Sequence, residues 1–191
     1  MKLKFLAIPI LVAVFAACGV AQWVKAAQQI LPVVLPMVTN LVAAVSLLEG
    51  QTISASDLNT ISQAANQVSA DLNMVGQLVD QYQSSPSTTT LDKINTSLVD
   101  VNTHLNALMP ALHITDPATV QKITAIAALI SSEVNSIEQI LPMVSAGQAH
   151  TAAQMAVPLN AAQLKKRYDT IVTQHSSNAQ VDAAFAKAIL K

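Results

Sequence analysis

Apolar residues along most of the chain recur at alternating spacings of three and four positions. The alternation runs through four segments, whose apolar positions are Leu31, Val34, Val38, Leu41, Val45 and Leu48; Leu58, Ile61, Ala65, Val68, Leu72, Val75, Val79 and Tyr82; Leu91, Ile94, Leu98, Val101, Leu105, Leu108 and Leu112; and Val120, Ile123, Ala127, Ile130, Val134, Ile137, Leu141 and Val144. A repeat of about 3.5 residues places one apolar seam along each helix, as coiled-coil-like packing requires. The pattern predicts an all-α fold: an antiparallel up-down four-helix bundle over residues 28–147, with helices at 28–49, 57–83, 90–112 and 117–146.

Residues that start and stop helices lie between these four segments. Gly50 follows the first segment, Ser54 provides an N-cap for the second, and the run SSPSTTT separates the second from the third. Asp116 caps the fourth segment, and Gly147 follows it. Capping residues and glycines are expected at these positions of helices. Because the connections are short, neighbouring helices are predicted to run antiparallel.

Two phrases of the sequence occur twice. The stretch that begins at Val68 matches the stretch that begins at Ile130 in its serine, asparagine and glutamine positions, which suggests a duplicated αα-hairpin. Gln-Ile-Leu-Pro occurs at residues 29–32 and again at 139–142. In an up-down bundle the first helix starts at the end where the fourth helix stops. We therefore expect the two phrases to be neighbours.

The prolines of these phrases are candidate contact residues. We expect Pro32 in the first turn of its helix, where an amide would have no helical partner, and Pro142 in the interrupted last turn of the fourth helix. Pro36 is expected to kink the first helix. The prolines either only terminate helices at this end of the bundle or mark a docking or hinge surface close to a membrane.

The N-terminus has the organisation of an export signal. Residues 1–17 combine two lysines with an apolar stretch at 5–17 that ends in small residues. The sequence Phe-Ala-Ala-Cys at 15–18 resembles the lipobox of bacterial lipoproteins, although Phe15 stands where that family usually has leucine. The resemblance implies that Cys18 carries a lipid and becomes the first mature residue. Residues 18–27 would then be a tether.

Two other fates of the N-terminus are compatible with the sequence. Ordinary cleavage after Ala21 would release the protein, since small residues stand at the required spacing. An uncleaved anchor would instead run to about Trp23, with Trp23 and Lys25 at the membrane interface. Each of the three alternatives exports the body of the protein from the cytoplasm.

The tail, residues 148–191, differs in character from the bundle. Pro158 precedes a short amphipathic segment, and HSSN separates it from a second one. The pattern predicts two short helices that fold back over the bundle or bind something else. Lys165, Lys166 and Arg167 form the chain's basic cluster. This cluster either faces solvent or contacts anionic lipid headgroups.

Composition and charge argue against several classes of function. Without residues 1–17 the chain has eight basic and eleven acidic residues, and 3% of all residues are aromatic, so we expect no nucleic-acid partner. The four glycines are too scattered for a phosphate-binding loop or a nucleophile elbow. Asp100 and His104 would make at most half of a metal site. We expect no metal, no cofactor and no enzymatic activity.

The sequence leaves three hypotheses about function. The first is a non-enzymatic cell-envelope protein, anchored by a lipid on Cys18 or by its N-terminal segment, whose bundle binds a protein partner or supports a structure. The second is a membrane-active protein that inserts its apolar first helix into a bilayer. The third is a bundle that binds or senses a small ligand, which a pocket beneath the tail would favour.

Overall fold

A computed structural model describes the backbone of residues 7–141 and 160–190, with side chains from residue 23 onward. These ranges form six α-helices and two short 3₁₀ turns, which confirms the all-α prediction. The helices are α1 (Ala7–Ser46), α2 (Ala55–Ser84), α3 (Thr88–Leu108), α4 (Pro117–Ile140), α5 (Ala161–Thr173) and α6 (Ala179–Phe185). The 3₁₀ turns are Met109–Ala111, after α3, and Ala186–Ala188, after α6.

The contacts among the first four helices are compatible with the predicted up-down bundle. Both α1 and α3 pack against α2 and α4, so the four helices close a ring. Hydrogen bonds between neighbouring helices and the turns that adjoin them show that the helices run antiparallel. Along each pair, a higher residue number in one element is bonded to a lower residue number in the other. The pairs are Asp57 with His113 and Asp71 with His104, Asn102 with Asn135 and Met109 with Thr124, and Trp23 with Ile137 and Thr52 with Thr119.

The predicted seams form the core of this ring. Every seam position of α1 is buried, and so is each described seam position of α2, α3 and α4, apart from half-buried residues near the helix ends. The half-buried positions are Leu58, Leu112, Val120 and Leu141. Burial of one such aliphatic side chain contributes about 1.5–3 kcal/mol. The seams therefore supply the main driving force for assembling the helices.

The first helix begins much earlier than predicted, at Ala7, and it includes the residues predicted as a tether, 18–27. These residues lie inside α1, and Trp23, Val24 and Ala27 are buried in the core. The segment contains three alanines, the residue with the highest helix propensity. Extension of the helix is favoured because it buries Trp23 between α2 and α4.

Pro32 lies in the interior of α1 together with Pro36, so its predicted position in the first turn is also wrong. A proline has no N–H for the carbonyl four residues earlier, which leaves the carbonyls of Gln28 and Pro32 without that helical partner. Both prolines are exposed. The helix continues through them because water reaches this face and can bond to the carbonyls.

The third and fourth helices end earlier than predicted. α4 ends at Ile140, and Leu141 has φ −55° and ψ 128°. This extended conformation is the one that a residue before a proline prefers. Pro142 itself lies outside the described residues, as do residues 143–146. α3 ends at Leu108, where the turn that contains Pro110 begins.

The two short helices of the tail fold back onto the bundle. Both α5 and α6 contact α1, and α5 also contacts α4. Their apolar faces are buried through Leu164, Tyr168, Val172, Val181 and Phe185. The C-terminal helices thus cover the side of the bundle that lies between α1 and α4.

Candidate functional site

Trp23 closes the bundle at the end where α1 enters it. The side chain is 1% exposed, and its ring stands edge-to-face against that of Tyr82 on α2, with 5.9 Å between the ring centroids. Its Nε1 donates a hydrogen bond to the carbonyl oxygen of Ile137 on α4, at 3.2 Å. Trp23 therefore belongs to the core of the bundle, where α1 packs against α2 and α4.

The end of α4 explains why this carbonyl accepts from a side chain. In a regular helix the amide of Leu141 would bond to the carbonyl of Ile137, but here it bonds to the carbonyl of Glu138. The last carbonyls of a helix have no partners within the helix, and the proline at position 142 has no N–H to offer. The indole of Trp23 satisfies the carbonyl of Ile137 from another helix. This contact couples the start of the bundle to the end of its fourth helix.

Cys18, the predicted lipidation site, lies five positions before Trp23 within α1. Its side chain is outside the described part of the structure. Fully extended, the chain between these residues would reach about 17 Å, at roughly 3.3–3.6 Å per residue. As a helix it would span about 7.5 Å, at about 1.5 Å per residue. Any group attached at Cys18 is therefore held close to the end of the bundle that Trp23 closes.

A groove between α1 and the C-terminal helices brings together two of the predicted contact residues, Pro32 and Lys165. Its volume is about 380 Å³. The lining residues are Pro32, Val33, Pro36, Asn40, Lys165, Lys187, Ile189 and Leu190. The side chain of Asn40 fixes one edge of the groove, because its Nδ2 donates to the carbonyl of Ala188 at 3.1 Å. The groove thus combines an apolar floor with two lysines.

The predicted basic cluster does not act as one surface. Lys165 is half-buried and lines the groove, whereas Lys166 and Arg167 are exposed and do not line it. Lys187, which is far from the cluster in sequence, joins Lys165 instead. The two lysines converge because α5 and the turn after α6 pack on the same face of α1.

Lys122 is a buried cation that joins α4 to the C-terminal helices. Its side chain is 5% exposed. The Nζ atom donates to the carbonyls of Ile171 and Val172 at 3.3 Å and also to the carbonyl of Gln174. These carbonyls belong to the end of α5, where helical partners run out. A cation is favoured there because carbonyl dipoles concentrate negative charge at a helix C-terminus.

The surroundings of Lys122 complete this contact. The carboxylate of Asp182 lies 3.7 Å from Nζ, and the Nζ atom lies 5.6 Å from the ring centroid of Phe185. Burial lowers the pKa of Lys122, and the charge of Asp182 opposes that effect. Asp182 also accepts two hydrogen bonds from the amide of Ser176. Lys122 and its partners therefore attach the tail to α4. The pocket beside Lys122 has a volume of only about 40 Å³.

Asp57 joins the start of α2 to the loop that follows α3. Its carboxylate accepts hydrogen bonds from the hydroxyl of Ser54 at 2.7 Å and from the amide of His113 at 2.9 Å. The Ser54 hydroxyl, and next the His113 amide, hold the pKa of Asp57 below its usual value. The folded protein therefore releases this proton more readily than the unfolded chain does.

We expect Asp57→Asn to lower the free energy of unfolding at pH 7 by about 1–2 kcal/mol, since hydrogen bonds to a charged acceptor are lost. The contribution of Asp57 is present above the unfolded pKa of about 3.9 and is lost as the pH falls through the lower folded value. Urea unfolding between pH 7 and pH 2 should therefore show a smaller acid-induced loss in the variant. Asp92→Asn, at an exposed position of α3, serves as the control; equal acid losses in Asp57→Asn and wild type would contradict the assignment.

The candidate metal pair suggested by the sequence is not assembled. His104 bonds through Nδ1 to Asp71 on α2, at 2.9 Å, rather than joining Asp100 on its own helix. Among the described residues, no group of three or more His, Cys, Asp or Glu side chains is placed to hold a metal ion. The arrangement instead ties α2 to α3.

The sequence did not indicate Lys122, Asp182 or Lys187 as residues of interest. The position of Lys122 directly before the seam residue Ile123 was a weak signal that its side chain could be buried, because such a position borders the core. Nothing in the local sequence shows that Lys187 faces Pro32. Comparison of the chain with protein-family models, with curated proteins and with solved structures gave no match.

Proposed function

We propose that this protein is a non-enzymatic helical bundle of the cell envelope, held at a membrane by a lipid on Cys18. The proposal is supported by the lipobox-like sequence at residues 15–18, and the burial of Trp23, five positions after Cys18, fixes how close such a lipid would lie to the core. A lipid at Cys18 would leave only four residues between the anchor and the rigid bundle. Such a short link holds the Trp23 end at the membrane surface and lets the bundle project away from it. α2, with 30 residues, gives the bundle a length of about 45 Å, at about 1.5 Å per residue.

The proposed bundle acts through its surface and not through its core. The described seams contain aliphatic side chains, alanine and Tyr82, which supply cohesion and no acid or base. The outward positions of α2 and α3 are rich in Asn, Gln, Ser and Thr. These side chains offer hydrogen bonds to a protein partner without the desolvation cost of full charges. We infer a binding or structural role along the projecting rod.

The anchor is tested by the intact mass of the protein from the membrane fraction of its native producer. We expect a chain that begins at Cys18 and carries acyl groups. Cys18→Ser should abolish the acyl mass and leave residues 1–17 attached, because the lipobox of bacterial lipoproteins is processed only at a lipidated cysteine. The matched variant Ala21→Leu blocks ordinary cleavage and should leave the lipidated product unchanged.

The opposite result would move the protein to another class. An unmodified chain that begins at Gln22 and disappears in Ala21→Leu would establish a secreted bundle and refute the lipid anchor. A full-length, unmodified chain in membranes would replace the lipid by an uncleaved anchor. Either result would exclude a lipid on Cys18 and would leave the description of the fold unchanged.

A second candidate, insertion of α1 into a bilayer, is favoured by one observation. The segment Trp23–Ser46 is long and apolar enough to cross a membrane, with a mean hydropathy of 1.7 over its best window. However, 44% of that window is buried inside the bundle, and withdrawal of α1 would expose the seams of α2 and α4 to water. Dye-loaded vesicles mixed with the lipidated protein should therefore remain sealed. Dye release would favour the inserting helix.

A further inference from the structure

We propose that the groove between α1 and the C-terminal helices binds a single-chain anionic amphiphile, of which a long-chain fatty-acid carboxylate is the simplest. The head would lie between Lys165 and Lys187, and the hydrocarbon chain would lie along the proline face of α1. The lining of the groove carries this proposal, and only the distance of the groove from a bilayer rests on the proposed anchor at Cys18. It gives the bundle a ligand of stated chemistry in addition to its proposed role at the membrane.

The floor of the groove suits a hydrocarbon chain. Pro32, Val33 and Pro36 line it from α1, and Ile189 and Leu190 line it from the opposite side. The rings of the two prolines add carbon surface to this face of α1. Ile189 is 43% exposed, which is unusual for a large aliphatic residue in this protein. A chain laid over it would remove that apolar surface from water.

The size of the groove suits one chain. Its volume of about 380 Å³ lies near the lower end of the roughly 300–1,000 Å³ that is typical of small-molecule pockets. The groove also starts at Pro32, which lies 14 positions after Cys18, or about 21 Å along a helix at about 1.5 Å per residue. A bundle that stands on its anchor therefore holds the groove away from bilayer headgroups.

The charges at the rim call for an anion. Neither Lys165 nor Lys187 forms an ion pair with any acid in the described ranges. Asp169, one turn after Lys165 on α5, is the acid nearest in sequence, and its carboxylate accepts a hydrogen bond from the amide of Leu190 at 3.0 Å. Among the described residues the rim carries two lysines and one carboxylate, which leaves it positive, and a carboxylate head would supply the missing negative charge.

A second groove provides an internal comparison. It lies on the other side of Pro32, between α1 and α2, and has a similar volume of about 410 Å³. Its lining includes Asp80 and Gly76 but no cationic side chain. An anionic amphiphile should therefore prefer the groove with the two lysines. A ligand attracted by apolar surface alone would enter both.

The test is photolabelling of the full chain in vesicles of zwitterionic phosphatidylcholine with a fatty acid that carries a diazirine in mid-chain. After digestion, mass spectrometry should locate the label on residues 32–40 and 187–190, and unlabelled palmitate should compete. The double variant Lys165→Gln, Lys187→Gln should reduce labelling about fivefold, as expected for the loss of two weak surface ion pairs. The matched double variant Lys166→Gln, Arg167→Gln should label like wild type.

A second pair of variants tests the cavity rather than the charge. Ile189→Trp fills the groove and should reduce labelling. Leu47→Trp adds the same ring at an exposed site in the turn after α1 and should leave labelling unchanged. The proposal would be overturned if no label appeared at residues 32–40 and 187–190, or if loss of both lysines left labelling unchanged. It would also be overturned if an uncharged diazirine fatty alcohol labelled the groove as strongly as the fatty acid does. Labelling of the α1–α2 groove as strong as that of the lysine groove would have the same meaning. Labelling of the site by a diazirine phospholipid as strongly as by the fatty acid would also overturn it, because the source would then be the bilayer.

Discussion

Trp23→Ala is expected to lower the free energy of unfolding by about 3–5 kcal/mol, the range found for removal of a large buried aromatic side chain. The variant loses the edge-to-face contact with Tyr82 and leaves a cavity where α1, α2 and α4 meet. It also leaves the carbonyl of Ile137 without its donor. Urea unfolding monitored by far-ultraviolet circular dichroism measures the change, because it does not depend on the chain's single tryptophan.

Two further variants separate the contributions to this effect. Trp23→Phe keeps most of the buried ring and removes the N–H, so it should cost about 1–2 kcal/mol. Lys25→Ala changes an exposed residue of the same helix and should stay within about 0.5 kcal/mol of wild type. If Trp23→Ala unfolds at the same urea concentration as Lys25→Ala, residues 18–27 would be a loose tether and not part of the core.

Lys122→Met should destabilise the attachment of the tail by about 3–5 kcal/mol, as when one partner of a buried charged group is removed. Methionine matches the length of the lysine stem but cannot bond to the three carbonyls at the end of α5. Those carbonyls and the carboxylate of Asp182 would lose the donor that now satisfies them. Hydrogen exchange should rise throughout α5 and α6, and a protease should cut there first.

The same experiment contains its controls. Trp23 emission should stay unchanged while the tail loosens, because Trp23 packs on α2 and α4 and not on the tail. Asp182→Asn should cost less than Lys122→Met, since the three carbonyls would keep their cation. Lys93→Met removes an exposed lysine of α3 and should leave exchange in α5 as it is. Uniform protection of α5 and α6 in Lys122→Met would show that apolar contacts alone hold the tail.

The sequence was sufficient to predict the helices and their buried faces, because the alternation of three and four is a local property. Each of the six seam residues of the first segment, from Leu31 to Leu48, is buried. The error at the start of α1 arose where two interpretations of the same residues competed. Pro32 suggested a first turn, and an export signal suggested a flexible segment after it. Burial of Trp23 against Tyr82 and Ile137 outweighed both, and neither partner is near it in sequence.

The candidate sites were less predictable because they depend on contacts between distant segments. Lys122 finds its acceptors about 50 positions later, at the C-terminus of α5. The groove joins Pro32 to Lys187 only because the tail folds back on α1. Local patterns identified Pro32 and Lys165 as residues of interest for separate reasons, and packing alone places them in one cavity.

The hydrogen bond between Trp23 and Ile137 would set the order in which the bundle is completed if the chain is exported as proposed. The residues it joins are separated by 114 positions. A chain that crosses a membrane from its N-terminus delivers Trp23 early, but the acceptor arrives only when nearly all of the bundle has been translocated. If the protein is anchored as proposed, the end of the bundle closest to the membrane would be the first to emerge and the last to be completed. Until then, the indole and the apolar face of α1 stay available to the export machinery or to a chaperone.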